Sequence, residues 1–418
     1  MSIAVELSAA AVSAAAERLR TVARRTPLER SDRLSEDLAT PVWLKREDLQ
    51  IGRSYKVRGA YNVVSSLSAE ERGRGVVCAS AGNHAQGVAY SCRVLGIRGR
   101  VFLPAATPRQ KRERIAAIGG PDVELVVVGA NYDEASAAAL QSSREGGAVL
   151  VHPFDDPRTI AGQGTVAIDV CEQAPERFAT VVVPVGGGGL IAGMALWLKS
   201  RRPDVRIVGA EPDGAASMKA ALAAGRPVAL DCVDTFVDGA AVGTTGELTY
   251  PVVRDLVDEV VSVPEGAVCT EMVSLYQVEG IIAEPAGALA SAAARRLPSS
   301  LAGGPVVCIV SGGNNDVSRY SDIVERSLVH EGLKHYFLVT FPQQPGALRR
   351  FLDSVLGPDD DITLFEYVKK SNRETGPALV GIELARAGDL ETLLARMEAS
   401  PLRIERVPPG SPLFTFLI

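Results

Sequence analysis

The sequence has few aromatic residues, and its cysteines and histidines are not spaced for metal binding. Aromatic residues make up 5% of the 418 residues, so alanine and aliphatic side chains must fill the core. None of the six cysteines lies in C-x-x-C spacing, and several stand in apolar runs such as "GVVCAS". Cysteines in such runs are usually small buried side chains, as in proteins of a reducing compartment. The four histidines show no zinc-like spacing.

Long apolar runs and concentrated positive charge are absent as well. No segment reaches the roughly 18 uncharged apolar residues that a membrane-spanning helix needs. Near the N-terminus, "AAERLRTVARR" interrupts any apolar core of a signal peptide. The formal net charge is −6 and basic residues are spread throughout, which predicts no nucleic-acid partner and no strong attraction to a membrane. We expect a cytoplasmic globular protein of two or three domains.

From about residue 55, short runs rich in Val, Ile and Leu alternate with longer Ala-rich segments. The predicted strands are "GVVCAS", "RGRVFLP", "VELVVVG", "AVLVHP", "TVVVPVG", "VRIVGAE", "EVVSVP" and "PVVCIVSGG". Helices are predicted at 83–95, 108–118, 131–145 and 187–201. This alternation predicts parallel sheets covered on both faces. A barrel is the alternative, but the uneven spacing favours an α/β fold with two open, doubly wound, mainly parallel sheets and a ligand between them.

The pattern changes near residue 330. From "KHYFLVTFPQQPGALRRFL" onward it predicts strand, helix, strand, strand, helix and strand, with the second helix at about 388–399 and short extended pieces at the end. This order is typical of a ferredoxin-like α+β module. We therefore expect a main region at 1–328, whose smaller subdomain (roughly 50–150) is inserted in the larger, then a linker at 329–332 and a separate domain at 333–418.

Three glycine clusters follow predicted strands: "ASAGNHAQG", "PVGGGGLIAG" and "VSGGNND". Glycines between a strand and a helix let backbone N–H groups approach an anion at the helix N-terminus. A single cluster is equally well explained as a tight turn. Four consecutive glycines, Gly186 to Gly189, exceed what a turn needs and indicate a phosphate-binding loop. The loop lacks G-K-[ST] and does not meet the dinucleotide fingerprint.

Lys56 lies in "GRSYKVRGA". For a lysine taken at random, a solvated surface position is the ordinary explanation. The alternative is an amine activated for Schiff-base formation by burial or by a neighbouring cation. Arg58 could supply that cation if its side chain points the same way. The phosphate-binding loop elsewhere in the chain favours the second explanation, with a phosphorylated aldehyde as the partner of Lys56.

Four motifs occur in an order that resembles a known family: "SYKVRGA" with Lys56, "SAGNHAQG" from Ser80, "GGGGL" from Gly186 and "SGGN" from Ser311. Together they resemble the pyridoxal-phosphate enzymes of fold type II, the tryptophan synthase β-like group, and within it the threonine and serine dehydratases. The C-terminal segments "FPQQPGALRRFL" and "DITLFEYVKK" resemble the ACT-like regulatory domain of biosynthetic threonine dehydratases. The resemblance covers nearly the whole chain and implies a catalytic region at 1–328 and a regulatory domain at 333–418.

The resemblance also implies roles for individual residues. Lys56 would form the internal aldimine with pyridoxal 5'-phosphate and move the Cα proton, and Ser311 would face the pyridine nitrogen. Asn83 would hydrogen-bond the cofactor's 3-hydroxyl. The cofactor's phosphate would be held by Gly186, Gly187, Gly188, Gly189 and Leu190. The substrate's carboxylate would be bound by the loop Ser80, Ala81, Gly82, Asn83 and His84, where backbone amides begin a helix.

The chain departs from the family pattern at two positions. The residue before the lysine is usually Phe in the family, whereas here it is Tyr55. Serine racemase relatives place a divalent-metal site after the strand that here ends at Glu211, and the acidic partner expected there is replaced by Ser217. We therefore expect no metal.

The function implied by the resemblance is that of a threonine ammonia-lyase, which converts L-threonine into 2-oxobutanoate and ammonia in the first committed step of isoleucine biosynthesis. L-Serine is a possible second substrate. The C-terminal module would sense isoleucine, with valine opposing it, through the strand-to-helix turn at Pro345 and Gly346; an inert oligomerisation domain is the alternative. The resemblance further suggests a homotetramer.

Three other functions are weighed against this one. A degradative serine/threonine dehydratase commonly lacks the C-terminal module, so residues 333–418 argue against it. Threonine synthase is a weaker rival within the same fold. A catalytically silent amino-acid sensor would have no need to retain Lys56, Asn83 and Ser311 together.

Overall fold

The computed structural model describes residues 7–175, 177–297, 303–369 and 372–417. It divides the chain into two compact units, residues 1–315 and residues 316–418. The division falls before the predicted boundary at residue 328, because the helix Tyr320–His330 belongs to the second unit. Within the described ranges, no helix combines the length and the apolar character needed to cross a bilayer.

The first unit contains two sheets. Its strands are β1 (Leu28–Ser31), β2 (Val42–Arg46), β3 (Val76–Ala79), β4 (Gly99–Leu103), β5 (Val123–Val127), β6 (Val149–Leu150), β7 (Thr180–Pro184), β8 (Arg206–Pro212), β9 (Glu259–Val263) and β10 (Val306–Val310). The larger sheet has the order β1-β2-β10-β7-β8-β9, in which only β1 is antiparallel to its neighbour. The smaller sheet has the order β5-β4-β3-β6 and is parallel throughout. The predicted α/β fold with two open, mainly parallel sheets is confirmed.

Helices connect these strands. They are α1 (Ala9–Leu19), α2 (Asp32–Leu38), α3 (Lys56–Ser65), α4 (Ala69–Arg74), α5 (Asn83–Leu95), α6 (Arg109–Gly119), α7 (Tyr132–Gly146), α8 (Pro157–Gln173), α9 (Gly189–Arg201), α10 (Ser217–Ala224), α11 (Thr249–Leu256), α12 (Glu265–Glu279) and α13 (Pro285–Ala294). Every residue of β7 and β10 is buried, as expected for strands of a parallel sheet with helices on both faces. The carboxyl ends of parallel strands meet at one edge, so the loops after β7 and β10 lie side by side.

The second unit begins with α14 (Tyr320–His330). It continues with β11 (Lys334–Pro342), α15 (Ala347–Val355), β12 (Asp361–Tyr367), β13 (Thr375–Glu383), α16 (Leu390–Ala399), β14 (Arg403–Arg406) and α17 (Pro412–Leu417). The strands form an antiparallel sheet in the order β12-β13-β11-β14, and Phe337, Val339 and Phe341 alternate into its core. The predicted βαββαβ order is present. The prediction of extended pieces at the end was wrong, because residues 412–417 form a helix.

Candidate active site

Lys56 is the first residue of α3 and follows a loop that is bonded to the end of β10. The N–H of Tyr55 donates to the carbonyl of Ser311 at 3.2 Å, which places Lys56 and Ser311 at the same edge of the larger sheet. The Nζ of Lys56 donates to the carbonyl of Pro153 at 3.1 Å and lies 5.2 Å from the centroid of the Tyr55 ring. Tyr55 itself packs, partly buried, against the core of the larger sheet.

Asn83 begins α5 directly after the glycine-containing turn that leaves β3. The Oδ1 of Asn83 accepts a hydrogen bond from the Nδ2 of Asn314 at 2.5 Å, so the structure brings Asn83 next to the loop that contains Ser311. Before it, the N–H of Gly82 donates to the Oγ of Ser80 at 3.2 Å. The N–H groups of a helix's first turn lack intrahelical acceptors, so the loop 80–84 is suited to a carboxylate.

The four consecutive glycines link β7 to α9. Gly188 has a φ of 90° and caps α9, a conformation that disfavours residues with a Cβ. A Cβ on Gly187 would lie 2.4 Å from the ring of Phe154. Phe154 follows Pro153, whose carbonyl accepts from Lys56, so the glycine loop and the lysine share one neighbouring segment. Leu190 is buried in the core beneath the loop.

Two neutral histidines lie close to Lys56. The Nε2 of His84 is 2.8 Å from the carbonyl of Val151, and because a carbonyl only accepts, Nε2 carries the hydrogen. Burial and the charge of Lys56 lower the pKa of His84 to about 3. The Nδ1 of His152 accepts from the N–H of Asp155 at 2.8 Å, and burial lowers the pKa of His152 as well. Both imidazoles therefore stay uncharged at neutral pH.

Arg58 does not act on Lys56, which corrects the possibility raised from the sequence. Its guanidinium forms two hydrogen bonds of 2.8 Å with the carboxylate of Glu47 and a third, of 2.6 Å, with Asp169. Burial alone would lower the pKa of Arg58, but these two carboxylates outweigh it and raise that pKa. The charge of Arg58 is neutralised inside this cluster, which joins α3 to the turn after β2 (Glu47) and to α8 (Asp169).

Glu284 and Asn314 are two residues at this site to which the sequence analysis gave no role. Asn83 donates to the Oε1 of Glu284 at 2.6 Å, and the N–H of Asn314 donates to its Oε2 at 3.2 Å. Burial and the negative charge of Asp238 raise the pKa of Glu284 to about 7. Asn314 was visible in "SGGNND", but Glu284 precedes a helix 201 positions from Asn83 and no local pattern marks it.

The carboxylate of Glu211 is satisfied by backbone groups at the start of α10. Its two oxygens accept from the N–H of Met218 at 2.7 Å and of Lys219 at 2.8 Å. Burial raises the pKa of Glu211 to about 7. Among the described residues, no group of three His, Cys, Asp or Glu side chains is arranged to hold a metal ion. The absence of a metal remains a prediction.

The donors collected at this edge of the sheet fit a phosphorylated pyridine aldehyde. They are an amine (Lys56), a hydroxyl (Ser311, which donates to the carbonyl of Ala286 at 3.1 Å) and an amide (Asn83). Beside them the glycine loop opens α9 at its N-terminus, where a phosphate is favoured. The Nδ1 of His84 and the Oδ1 of Asn314 are buried atoms without a hydrogen-bond partner. This fold and this set of groups define the class of pyridoxal-phosphate enzymes.

Comparison with known families agrees with this class. Residues 19–312 match the family described as pyridoxal-phosphate dependent enzyme, and residues 325–417 match the C-terminal regulatory domain of threonine dehydratase. The chain belongs to the family of pyridoxal-phosphate-dependent enzymes and carries the threonine dehydratase regulatory domain. Pyridoxal phosphate is its cofactor.

Individual relatives match nearly the full length. The chain is 60% identical over 414 residues to the biosynthetic L-threonine dehydratase IlvA of Mycobacterium tuberculosis, covering 99% of this chain and 96% of that protein. It is 55% identical over 416 residues to the protein of the same name from Corynebacterium glutamicum, covering 98% and 95%.

Solved structures show the same fold. The processed form of threonine deaminase isoform 2 from Solanum lycopersicum superimposes with a TM-score of 0.72 at 40% identity, covering 76% of this chain and 92% of that chain. Maize serine racemase superimposes with a TM-score of 0.71 at 34% identity, covering 78% and 99%.

Proposed function

We propose that this protein is a threonine ammonia-lyase, which converts L-threonine into 2-oxobutanoate and ammonia as the first committed step of isoleucine biosynthesis. The observation that carries the proposal is the meeting of Lys56, Asn83, Ser311 and the glycine loop 186–189 in one region of the first unit. The matches to biosynthetic threonine dehydratases over nearly the whole chain support it.

Each group has a defined task in this proposal. Lys56 would tether the cofactor and remove the Cα proton of threonine. Asn83 would bind the cofactor's 3-oxygen, the N–H groups of 186–190 would bind its phosphate, and Ser311 would offer a neutral hydroxyl to the pyridine nitrogen. The bound cofactor supplies the electron sink. The N-terminus of α5 binds the substrate's carboxylate through the loop 80–84.

The uncharged histidines fit this chemistry. His84 and His152 add no positive charge beside Lys56, because burial and the charge of Lys56 lower the pKa of both. His84 presents Nδ1 as an acceptor only, so its side chain cannot bind a carboxylate. In this proposal, the carboxylate is therefore held by the backbone of the loop and not by this imidazole.

The test is the release of 2-oxobutanoate from L-threonine by the purified holoenzyme, with Lys56→Ala as the matched variant. We expect product from the wild type and none above background from Lys56→Ala, because the amine that moves the proton is gone. Assays with L-serine in parallel measure the ratio of kcat/KM for the two substrates. Equal product from both proteins would contradict the role of Lys56.

We also propose that the second unit regulates this activity, with isoleucine as inhibitor and valine as its opponent, in a cytoplasmic homotetramer. The turn after β11 supports an amino-acid site, because Gly346 has a φ of 81° and caps α15, so backbone amides there can meet a carboxylate.

A chain ending at Asn315, the last residue of the first unit, is expected to keep threonine turnover and lose inhibition by isoleucine. Inhibition that survives this truncation would contradict the proposal, and size-exclusion chromatography with light scattering tests the tetramer.

A further inference from the structure

Glu284 is a buried carboxyl group in contact with a proposed cofactor ligand, and nothing in the proposed chemistry yet uses it. It is 5% exposed, and its backbone N–H donates to the carbonyl of Gly312 at 3.0 Å. It directly precedes α13, whose Ala286 carbonyl accepts from Ser311. Glu284 is thereby fixed between the two loops that carry Ser311 and Asn83.

The contacts of Asn83 leave one amide hydrogen free for a ligand. Its Nδ2 donates one hydrogen to Glu284 at 2.6 Å, and its Oδ1 accepts from Asn314 at 2.5 Å. A side-chain amide has two N–H donors, so the second hydrogen on Nδ2 is available. A carboxylate accepts only, so an ionised Glu284 forces the nitrogen of Asn83, and not its oxygen, toward itself.

We infer that Glu284 is a positioning residue that fixes the orientation of the Asn83 amide, so that its second N–H points at the 3-oxygen of the cofactor. This inference rests on the proposed role of Asn83 as a cofactor ligand. Glu284 does not touch the cofactor in this account and acts only through Asn83.

Two further features agree with a site built around this contact. A Cβ on Gly312 would lie 2.2 Å from the Oε1 of Glu284 and 3.3 Å from the Nδ2 of Asn83, so a side chain at position 312 would displace Glu284. The charged groups that face Glu284 are Asp238 and Lys111, and these two pair with each other at 3.1 Å. The hydrogen bonds shown to the carboxylate of Glu284 come from the neutral amides of Asn83 and Asn314.

The deciding change is Glu284→Gln, which keeps size and burial but adds a donor. A glutamine can donate to the Oδ1 of Asn83, so the amide is free to rotate and to turn its oxygen toward the cofactor. The apparent Kd for pyridoxal phosphate, measured by titrating the cofactor-free enzyme at pH 8, should rise at least about tenfold, as expected when a hydrogen bond to a charged group is lost. The pH dependence of the bound cofactor's visible absorption band should shift as well.

A double-variant cycle separates positioning from folding. In the Asn83→Ala background, Glu284→Gln should change the Kd less than about twofold, because there is no amide left to orient. Glu211→Gln is the matched control, since it removes another buried carboxyl with a raised pKa, and it should bind the cofactor as the wild type does.

An unchanged Kd in Glu284→Gln, or an equal loss in the wild-type and Asn83→Ala backgrounds, would overturn the inference. Where Glu284→Gln does not accumulate as folded protein, Glu284→Leu, which also removes the acceptor-only carboxylate, takes its place in the same cycle and the same outcomes decide. A chain that shows the expected coupling but releases no 2-oxo acid from threonine would contradict the proposed function and leave this inference standing.

Discussion

Two buried carboxylates, those of Glu47 and Glu284, differ in the charge of their hydrogen-bond partners. Glu47 is fully buried and accepts two hydrogen bonds from Arg58 and one from Thr26. Burial would raise its pKa, but the charge of Arg58 outweighs burial and lowers it. Glu284 is almost as buried, its carboxylate accepts from the neutral amides of Asn83 and Asn314, and its pKa is raised to about 7.

The partners of a buried acid, and not burial alone, therefore decide whether it stays charged. The Glu47 cluster is a set of ion pairs that connects the turn after β2 with α8 and with α3, the helix of Lys56. The Glu284 network has neutral partners and faces the groups proposed to bind the cofactor. Raised pKa values of this kind concentrate at functional sites.

The largest effect on stability is expected from breaking the Glu47 cluster. Arg58→Leu leaves Glu47 buried without its guanidinium partner, which should lower the free energy of unfolding by about 3–5 kcal/mol. Denaturant unfolding of the holoenzyme measures it. A loss below about 1 kcal/mol would show that Glu47 finds another partner or a proton at little cost.

Glu211, whose carboxylate accepts from backbone N–H groups, extends the comparison to the pH dependence of stability. The pKa of Glu211 is raised from 4.5 to about 7, so the folded protein binds more protons than the unfolded chain between these values. The free energy of unfolding should therefore fall as the pH rises from about 4.5 to 7, by up to about 3 kcal/mol.

Glu211→Gln isolates this contribution because it lacks the titrating group. As the pH rises from about 4.5 to 7, the wild type should lose free energy of unfolding relative to Glu211→Gln. A difference that is constant from pH 5 to pH 8 would contradict the raised pKa of Glu211.

Gly312→Ala tests the Glu284 side of the comparison by steric means. The added Cβ would overlap with the Oε1 of Glu284, and overpacking of this kind costs about 1–3 kcal/mol. Because Asn83 is bonded to Glu284, we also expect weaker binding of pyridoxal phosphate. Gly73→Ala is the control, since its Cβ would meet no neighbour within 4 Å; equal cofactor affinity in both variants would contradict the expectation.

The smallest effect is expected for an exposed ion pair. Arg109 and Glu113 are separated by 2.6 Å on the surface of α6, and such pairs contribute about 0.3–0.5 kcal/mol. Arg109→Ala should therefore leave the unfolding free energy nearly unchanged. A loss of unfolding free energy as large as that of Arg58→Leu would mean that burial does not explain why the Arg58–Glu47 pair matters more than the exposed Arg109–Glu113 pair.

Much of the first unit could be predicted from the sequence because its strands are short and apolar and alternate with Ala-rich helices. The helix predicted at 83–95 coincides with α5. Lys56, Asn83 and Ser311 could be proposed together because the four ordered motifs resemble those of the pyridoxal-phosphate enzymes of fold type II.

What the sequence could not reveal depends on contacts between distant segments. The direction of the Arg58 side chain is decided by Glu47 and Asp169, and the importance of Glu284 is decided by its contact with Asn83. The helix 412–417 was missed because a single short turn of apolar residues also fits an extended segment. Local patterns carry no information about such partners.

The most direct measurement of the central claim is the rate of 2-oxobutanoate formation from L-threonine by the purified holoenzyme and by Lys56→Ala, with circular dichroism to establish that both are folded. The account predicts turnover by the wild type and no turnover by the variant. A folded wild-type holoenzyme that leaves threonine unchanged, or a variant that turns it over equally well, would contradict it.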